Sequence, residues 1–224
     1  MSIADLCHAT ITMSDNTAAN LLLDTVGGPA GLTAFLRDIG DATTRLDRTE
    51  PALNEALPED MRDTTTPAAM ADTLELLLFS ELLSPEARAQ LESWMRQDAV
   101  ADDLLRASLP EGWMIGDKTG AGGNGSRSII AVLRGPAGEP WLATVYMTQT
   151  GGDMDKRNAA IARIGAAMIG EIQSKALNRT GARRESRAAG ARRAPLPPDG
   201  PSRGTLLRAA GARAGVFLEV PSGR

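Results

Sequence analysis

The chain has little of what several enzyme classes require. Its 224 residues include one histidine (His8), one cysteine (Cys7) and three lysines, and aromatic residues make up 3%. A zinc site takes three or four Cys, His or carboxylate ligands and a disulfide takes two cysteines, so neither is expected. A Ser-His-Asp triad would have to use His8 as its base, close to the first residue, which disfavours that class.

Apolar runs are also short. None approaches the roughly 18 residues of a membrane span, and residues 1–5 lack the charged start and apolar stretch of a secretion signal. We therefore expect no membrane segment, and a cytoplasmic location for the chain as written.

Hydrophobic residues make up 42% and charged residues 23%, which is typical of a globular protein. The net charge of −4 hides a split, because residues 175–224 hold 11 Lys and Arg against 3 Asp and Glu, a balance of +8. This segment has almost no apolar periodicity and is predicted to be disordered. Its only aromatic residue is Phe217, so no stacking platform for nucleic acid is expected.

Hydrophobic periodicity predicts an α+β fold, with helices first and a sheet afterwards. Thr66 and Ser84 each precede a proline at a predicted helix start, as helix caps do. After Trp113 the period becomes that of strands separated by Gly-rich turns, which indicates an antiparallel meander covered by a last helix. The predicted helices are about 3–11, 17–26, 29–39, 67–79, 85–95, 99–109 and 154–172, and the strands 113–118, 128–133 and 141–148.

These elements predict three regions. An all-α subdomain is expected over residues 1–109, an antiparallel sheet with its C-terminal helix over 110–174, and the disordered tail over 175–224. Residues 40–66 have few periodic apolar positions and predict a long ordered loop, and such loops in compact domains usually have a function.

Two short polar motifs are uninformative when each is considered alone. Ser14-Asp15-Asn16 precedes an apolar helix, and because all three residue types cap helices, a structural cap is the simpler interpretation. Lys118-Thr119-Gly120 ends a predicted strand and by itself indicates little. A third motif, Glu50-Pro51-Ala52-Leu53-Asn54, lies in the predicted loop.

Together and in this order, the three motifs resemble those of class A serine β-lactamases. The similarity includes Thr17–Leu23 and Arg62–Pro67 and covers about residues 3–173. The resemblance implies the serine β-lactamase/penicillin-binding-protein fold and hydrolysis of β-lactams such as penicillin through a serine acyl-enzyme. It implies a small-molecule substrate, no metal or other cofactor, no nucleic-acid or membrane partner, a monomer if the chain is completed, and a periplasmic or secreted location at full length.

The resemblance also implies a role for each matched residue. Glu50 is expected to activate the deacylating water, which Asn54 would hold from one turn away. Ser14 is expected to pass a proton to the departing nitrogen, and Lys118 to polarise Ser14 and attract the anionic substrate. The expected substrate-binding residues are Asn16, Thr119, Gly120, Ala121 and Arg127.

Two further expectations concern how these residues are held. If residues 121–126 form the hairpin loop, Arg127 lies across the ladder from Gly120 and can join Thr119 in binding the substrate carboxylate. In the family an Arg–Asp ion pair fastens the loop that carries the base, about residues 45–63 here. Arg48 and Asp63 match that pair.

The family's nucleophile has no match. It is the serine of a Ser-x-x-Lys motif, and no serine stands three positions before any of the three lysines. The resemblance therefore implies an N-terminally truncated chain that is inactive alone and only marginally stable. Two alternatives stay open. One is a non-catalytic fragment that binds β-lactams, and the other is a penicillin-binding DD-peptidase, against which Glu50 and Asn54 argue.

Overall fold

A computed structural model describes residues 1–190 and 216–219 of the chain. Six α-helices are present in these residues, and two of them begin at the predicted caps. The hydroxyls of Thr66 and Ser84 accept hydrogen bonds at 3.2 Å from the backbone amides of Ala69 and Ala87. The helices are α1 (Ile3–Met13), α2 (Asn16–Thr25), α3 (Gly28–Asp38), α4 (Pro67–Phe79), α5 (Pro85–Arg96) and α6 (Met154–Gly190).

The sheet contains the predicted meander. Its strands are β1 (Met114–Ala121), β2 (Arg127–Arg134) and β3 (Pro140–Met147), each antiparallel to the next. The α+β class with an antiparallel sheet is therefore confirmed. Among the described residues, no helix combines the length and apolar character needed to cross a bilayer.

Alternating residues of β2 bury both faces of the sheet. Ile129 and Leu133 pack in one core with Ile161 of α6. Val132 faces the other way and packs with Leu74 of α4 and with residues of α5. Because successive side chains of a strand point to opposite faces, one strand joins the two helical layers.

The predicted long loop follows α3. Between Ile39 and Thr66 its only helix is a short 3-10 turn at Ala52–Asn54. The ends of the loop are joined by the Arg45 amide, which donates to the Thr64 carbonyl at 3.0 Å. The segment that carries Glu50 is thus an ordered loop that begins and ends beside the helical layer.

The prediction of a helix over residues 99–109 is wrong. This stretch consists of turns with one 3-10 helix at Leu105–Ser108. The Ala99 amide donates to the Thr12 carbonyl of α1 at 2.9 Å, and Leu104 is fully buried. Contacts with other elements therefore fix this backbone, and local periodicity does not.

The C-terminal region also differs from its prediction. Helix α6 continues past Ile172 to Gly190, and residues 216–219 form a fourth strand, β4 (Val216–Glu219), parallel to β3. Ala, Arg and Glu are good helix formers, so residues 175–190 can extend a helix without an apolar stripe. The disorder predicted for residues 191–215 and 220–224 lies outside the described residues.

Candidate active site

All nine residues singled out in the sequence line one cavity of about 470 Å³. The cavity lies where α1, α2 and the Glu50 loop meet the end of β1 and the start of β2. Four of these residues are expected to take part in catalysis, and the other five are expected to bind the substrate. They are Ser14, Asn16, Glu50, Asn54, Lys118, Thr119, Gly120, Ala121 and Arg127.

Ser14 and Asn16 owe their position to the junction of two helices. Ser14 ends α1 in the left-handed conformation, with φ 54°, which is uncommon for a residue with a side chain. Asp15 caps α2, and its carboxylate accepts from the Ala18 amide at 2.8 Å. Asp15 is therefore the helix cap that the sequence predicted. Ser14 and Asn16, on either side of it in the chain, line the cavity.

Lys118 reaches the same junction from the sheet. Its Nζ donates to Ser14 Oγ at 3.0 Å and to the Thr119 carbonyl at 2.8 Å. Burial lowers the pKa of Lys118, and the nearby carboxylates of Asp98 and Asp117 oppose that effect. The ammonium group therefore lies in a partly desolvated site, where its attraction for an anion is stronger than in water.

Glu50 and Asn54, which line the same cavity, are held against each other. Asn54 Nδ2 donates to Glu50 Oε2 at 2.5 Å across the 3-10 turn. The Glu50–Pro51 peptide bond is cis. Asn20 of α2 fixes the backbone of Glu50 from both sides, because its side chain donates to the Glu50 carbonyl at 3.0 Å and accepts from the Glu50 amide at 2.9 Å.

The Glu50 loop is fastened at its base by the ion pair that the resemblance implied. Arg48 Nε donates to Asp63 Oδ2 at 2.6 Å, and the Asp63 side chain is 3% exposed. The other oxygen of Asp63 accepts from the amides of Asp47 and Arg48 at 2.7 and 3.0 Å. One carboxylate thus closes the loop through backbone and side chain together.

Arg127 does not lie across the ladder from Gly120 as expected. It pairs with Ala121, because β1 extends to Ala121 and the hairpin loop covers only residues 122–126. The guanidinium nevertheless donates to the Gly120 carbonyl at 3.1 Å through Nη1. Its Nε donates to Asn158 Oδ1 of α6 at 2.9 Å, and both residues are buried.

Several residues of the site were absent from the predicted set. Asn20 and Asn158 hold Glu50 and Arg127 in place. Asn20 is a polar amide within an otherwise apolar helical segment, whereas Asn158 follows three charged residues and carries no such signal. The remaining residues line the cavity but were given no role from the sequence, although Asp15 is part of the first motif and Ala19 lies within the matched stretch Thr17–Leu23. They are Thr10, Asp15, Ala19, Val100 and Met154.

The arrangement provides two chemically distinct walls. Lys118 and Arg127 form a cationic wall beside Thr119, which suits a carboxylate. Glu50 with Asn54 forms a wall with a carboxylate and an amide, which suits a water molecule that must lose a proton. Ser14 lies within hydrogen-bonding distance of Lys118 and lines the same cavity as Glu50.

Comparison with known proteins gives consistent matches. Residues 1–172 match the model of the β-lactamase enzyme family. An ancestral (GNCA) class A β-lactamase is 55% identical, with a TM-score of 0.74, over 76% of this chain and 66% of that one. A double mutant of the chromosome-encoded β-lactamase of Vibrio parahaemolyticus is 47% identical, with a TM-score of 0.74, over the same shares.

A ligand-bound structure is also similar. A variant of the class A β-lactamase of the last common ancestor of Gram-negative bacteria, bound to 5(6)-nitrobenzotriazole, is 51% identical, with a TM-score of 0.75, over 78% of this chain and 66% of that one. The chain thus spans about two thirds of the length of the structures it matches. By sequence and fold, it belongs to the β-lactamase enzyme family, in the class A branch that these neighbours represent.

Proposed function

We propose that the cavity is the β-lactam site of a hydrolase that acts through a serine acyl-enzyme. The observation that carries the proposal is that Lys118, from the sheet, contacts Ser14, 104 residues earlier, at 3.0 Å, in the same cavity as the Glu50–Asn54 pair. A cationic anchor, a hydroxyl proton carrier and a general base are the groups that this chemistry needs beside a nucleophile.

Each wall then has a defined task. Lys118, Thr119 and Arg127 bind the substrate carboxylate, and Asn16 binds an amide carbonyl of the substrate side chain. Ser14 delivers a proton to the nitrogen released when the ring opens, and Lys118 lowers the cost of that transfer by donating to Ser14 Oγ. Glu50 takes a proton from the water that hydrolyses the ester, with Asn54 orienting that water.

The 224 residues hold no Ser-x-x-Lys sequence, so none of them matches the family's nucleophile. For this chain by itself we therefore propose β-lactam binding without turnover. The DD-peptidase alternative is less well supported, because the contact between Asn54 Nδ2 and Glu50 Oε2 builds a water-activating site that a DD-peptidase does not need.

Titration of the 224-residue chain with benzylpenicillin tests the proposal. We expect saturable binding by calorimetry and no covalent adduct by intact mass. Lys118→Met and Arg127→Ala each remove a charged hydrogen-bond donor worth about 1.5–3 kcal/mol, so each is expected to weaken binding by roughly tenfold or more. Two variants are used because Arg127 is buried and its loss also affects folding.

Arg163→Ala is the matched control. Arg163 is exposed on α6, nine residues after the cavity residue Met154. A chain that folds cooperatively but does not bind penicillin would contradict the proposal, as would an equal loss of affinity in Arg163→Ala. A covalent adduct would show that a different residue acts as nucleophile.

A further inference from the structure

The two outer sides of the sheet differ in character. Within the described residues the strand order is β1-β2-β3-β4, so β1 ends the sheet on the side of the cavity and the short strand β4 lies beyond β3 on the other side. β1 contains Asp117, Lys118 and two glycines, and charges and glycines disfavour pairing with a further strand. β3 contains neither a charged residue nor a glycine.

The residues of β3 are suited to pairing on both sides. Trp, Thr, Val and Tyr favour strands, and the only proline, Pro140, stands at the first position, where a proline does not interrupt a ladder. β3 pairs with β2 through consecutive partners from Pro140 to Met147, without the extra residue of a bulge. β3 therefore lacks the features that usually keep an edge strand from pairing with another chain.

β4 covers the outer edge of β3 over part of its length. The four residues of β4 pair in parallel with Ala143–Tyr146. Helix α4 lies beside both strands, because the fully buried Thr144 donates from its hydroxyl to the Pro67 carbonyl of α4 at 2.9 Å, and β4 contacts the same helix. The position of β4 is thus defined by two neighbours, the edge of β3 and helix α4.

The connection from β3 to β4 is of the kind that parallel strands require. Parallel neighbours cannot be joined by a hairpin and need a longer crossover, usually through a helix. Here α6 follows β3, and Ile161 and Met168 of α6 pack in one core with Val145 of β3. Residues 191–215 then lead to β4. Because β4 belongs to the same chain, it pairs with β3 at a high effective concentration, which a separate molecule does not have.

We propose that β4 is a protective edge strand, which occupies within one molecule the edge of β3 at which two copies of this chain would otherwise pair. The competing occupant is a second copy, because that copy offers an identical uncharged strand, and a two-fold axis lets the two β3 strands pair through the same edge. The contact closes after two chains, since each copy has one edge of this kind. This edge lies on the opposite side of the sheet from the cavity, and the proposal does not depend on the function proposed above.

Two pairs of prolines in the full chain test the proposal. Proline lacks the amide hydrogen, and consecutive amides of a strand point to alternate sides, so Phe217→Pro together with Leu218→Pro removes a donor to β3 whichever of the two supplies it. Ser222→Pro together with Gly223→Pro is the matched control, because it adds the same residues after the end of β4.

Light scattering over a wide range of concentration gives the mass of each variant. We expect the unaltered chain and the control to keep the mass of one chain, and the mass of the β4 variant to rise toward that of two chains as concentration increases. Equal masses for the two variants would overturn the proposal. Growth of the β4 variant into large irregular aggregates would also overturn it, because that outcome indicates general unfolding and not pairing through one edge.

Amide hydrogen exchange of the unaltered chain, measured by NMR, tests the pairing without any variant. A strand with one partner protects alternate amides, whereas a strand between two partners protects consecutive ones. We expect slow exchange at consecutive residues of Ala143–Tyr146. In the β4 variant at low concentration, alternate amides of this stretch should exchange faster by roughly tenfold or more, because an unpaired edge amide exchanges without global unfolding. Alternating protection in the unaltered chain would overturn the proposal, as would unchanged exchange in the β4 variant.

Discussion

Gly123→Ala is expected to displace the Glu50 loop, although Gly123 itself does not line the cavity. Gly123 lies in the β1–β2 hairpin loop, and its amide donates to the Asn54 carbonyl at 2.7 Å. A Cβ atom at this position would lie 2.3 Å from the Glu55 carbonyl oxygen. Ordinary contacts begin at 3.4 Å, so the hairpin loop and the Glu50 loop have to separate by about 1 Å.

The size of the effect follows from the contacts that this separation breaks. The bond from the Gly123 amide is lost, and the bond from Asn124 Nδ2 to the Ala56 carbonyl, at 2.9 Å, is stretched. A net hydrogen bond contributes about 1 kcal/mol and overpacking costs about 1–3 kcal/mol, so we expect a loss of about 1–3 kcal/mol in the free energy of unfolding. The same displacement moves Asn54 away from its position beside Glu50.

Hydrogen exchange measured by mass spectrometry, together with urea unfolding, tests this reasoning. Exchange in residues 50–56 should accelerate more than exchange in the strands, because the disturbance is local. Gly151→Ala is the matched control, since no atom lies within 4 Å of its Cβ position and its backbone is not left-handed. Unchanged exchange over 50–56 in Gly123→Ala, or equal acceleration in Gly151→Ala, would refute the packing argument.

Three further variants test the sheet and its helices. Arg134 binds both carboxylate oxygens of Glu92 and lowers the pKa of Glu92 to about 2. With allowance for solvent screening, Glu92→Gln should therefore lower the free energy of unfolding by about 1–2 kcal/mol at neutral pH. The deficit should shrink in urea titrations as pH falls from 4.5 toward 2, where wild-type Glu92 also becomes neutral. Ile161→Ala, at a fully buried position, should cost about 2–5 kcal/mol by urea unfolding, and a loss below 1 kcal/mol would contradict the assigned core. Asn158→Ala leaves Arg127 Nε buried without its acceptor and should cost about 1–3 kcal/mol while weakening penicillin binding, and unchanged calorimetric affinity would contradict this role.

Helix starts and the meander were predictable because their causes are local. Thr66 caps its helix with its own hydroxyl, three residues from the amide it binds. The strand β2 was predictable as well, because successive side chains of a strand point to opposite faces of the sheet and this two-residue period can be recognised in the sequence. The stretch over 99–109 was predicted wrongly because the Ala99 amide bonds to Thr12, a contact with no local signature.

The amino-acid sequence by itself determined the fold class and the family, and it singled out nine of the residues that line the cavity, because motif spacing and periodicity are properties of the chain. Only the tertiary structure decided how those residues are held. Asn20 fixes Glu50 from 30 positions away, and Arg106 binds Asp117 from 11 positions away, next to Lys118. Such contacts depend on how whole elements pack, and burial, which sets the pKa of Lys118 and Asp117, exists only after packing is complete.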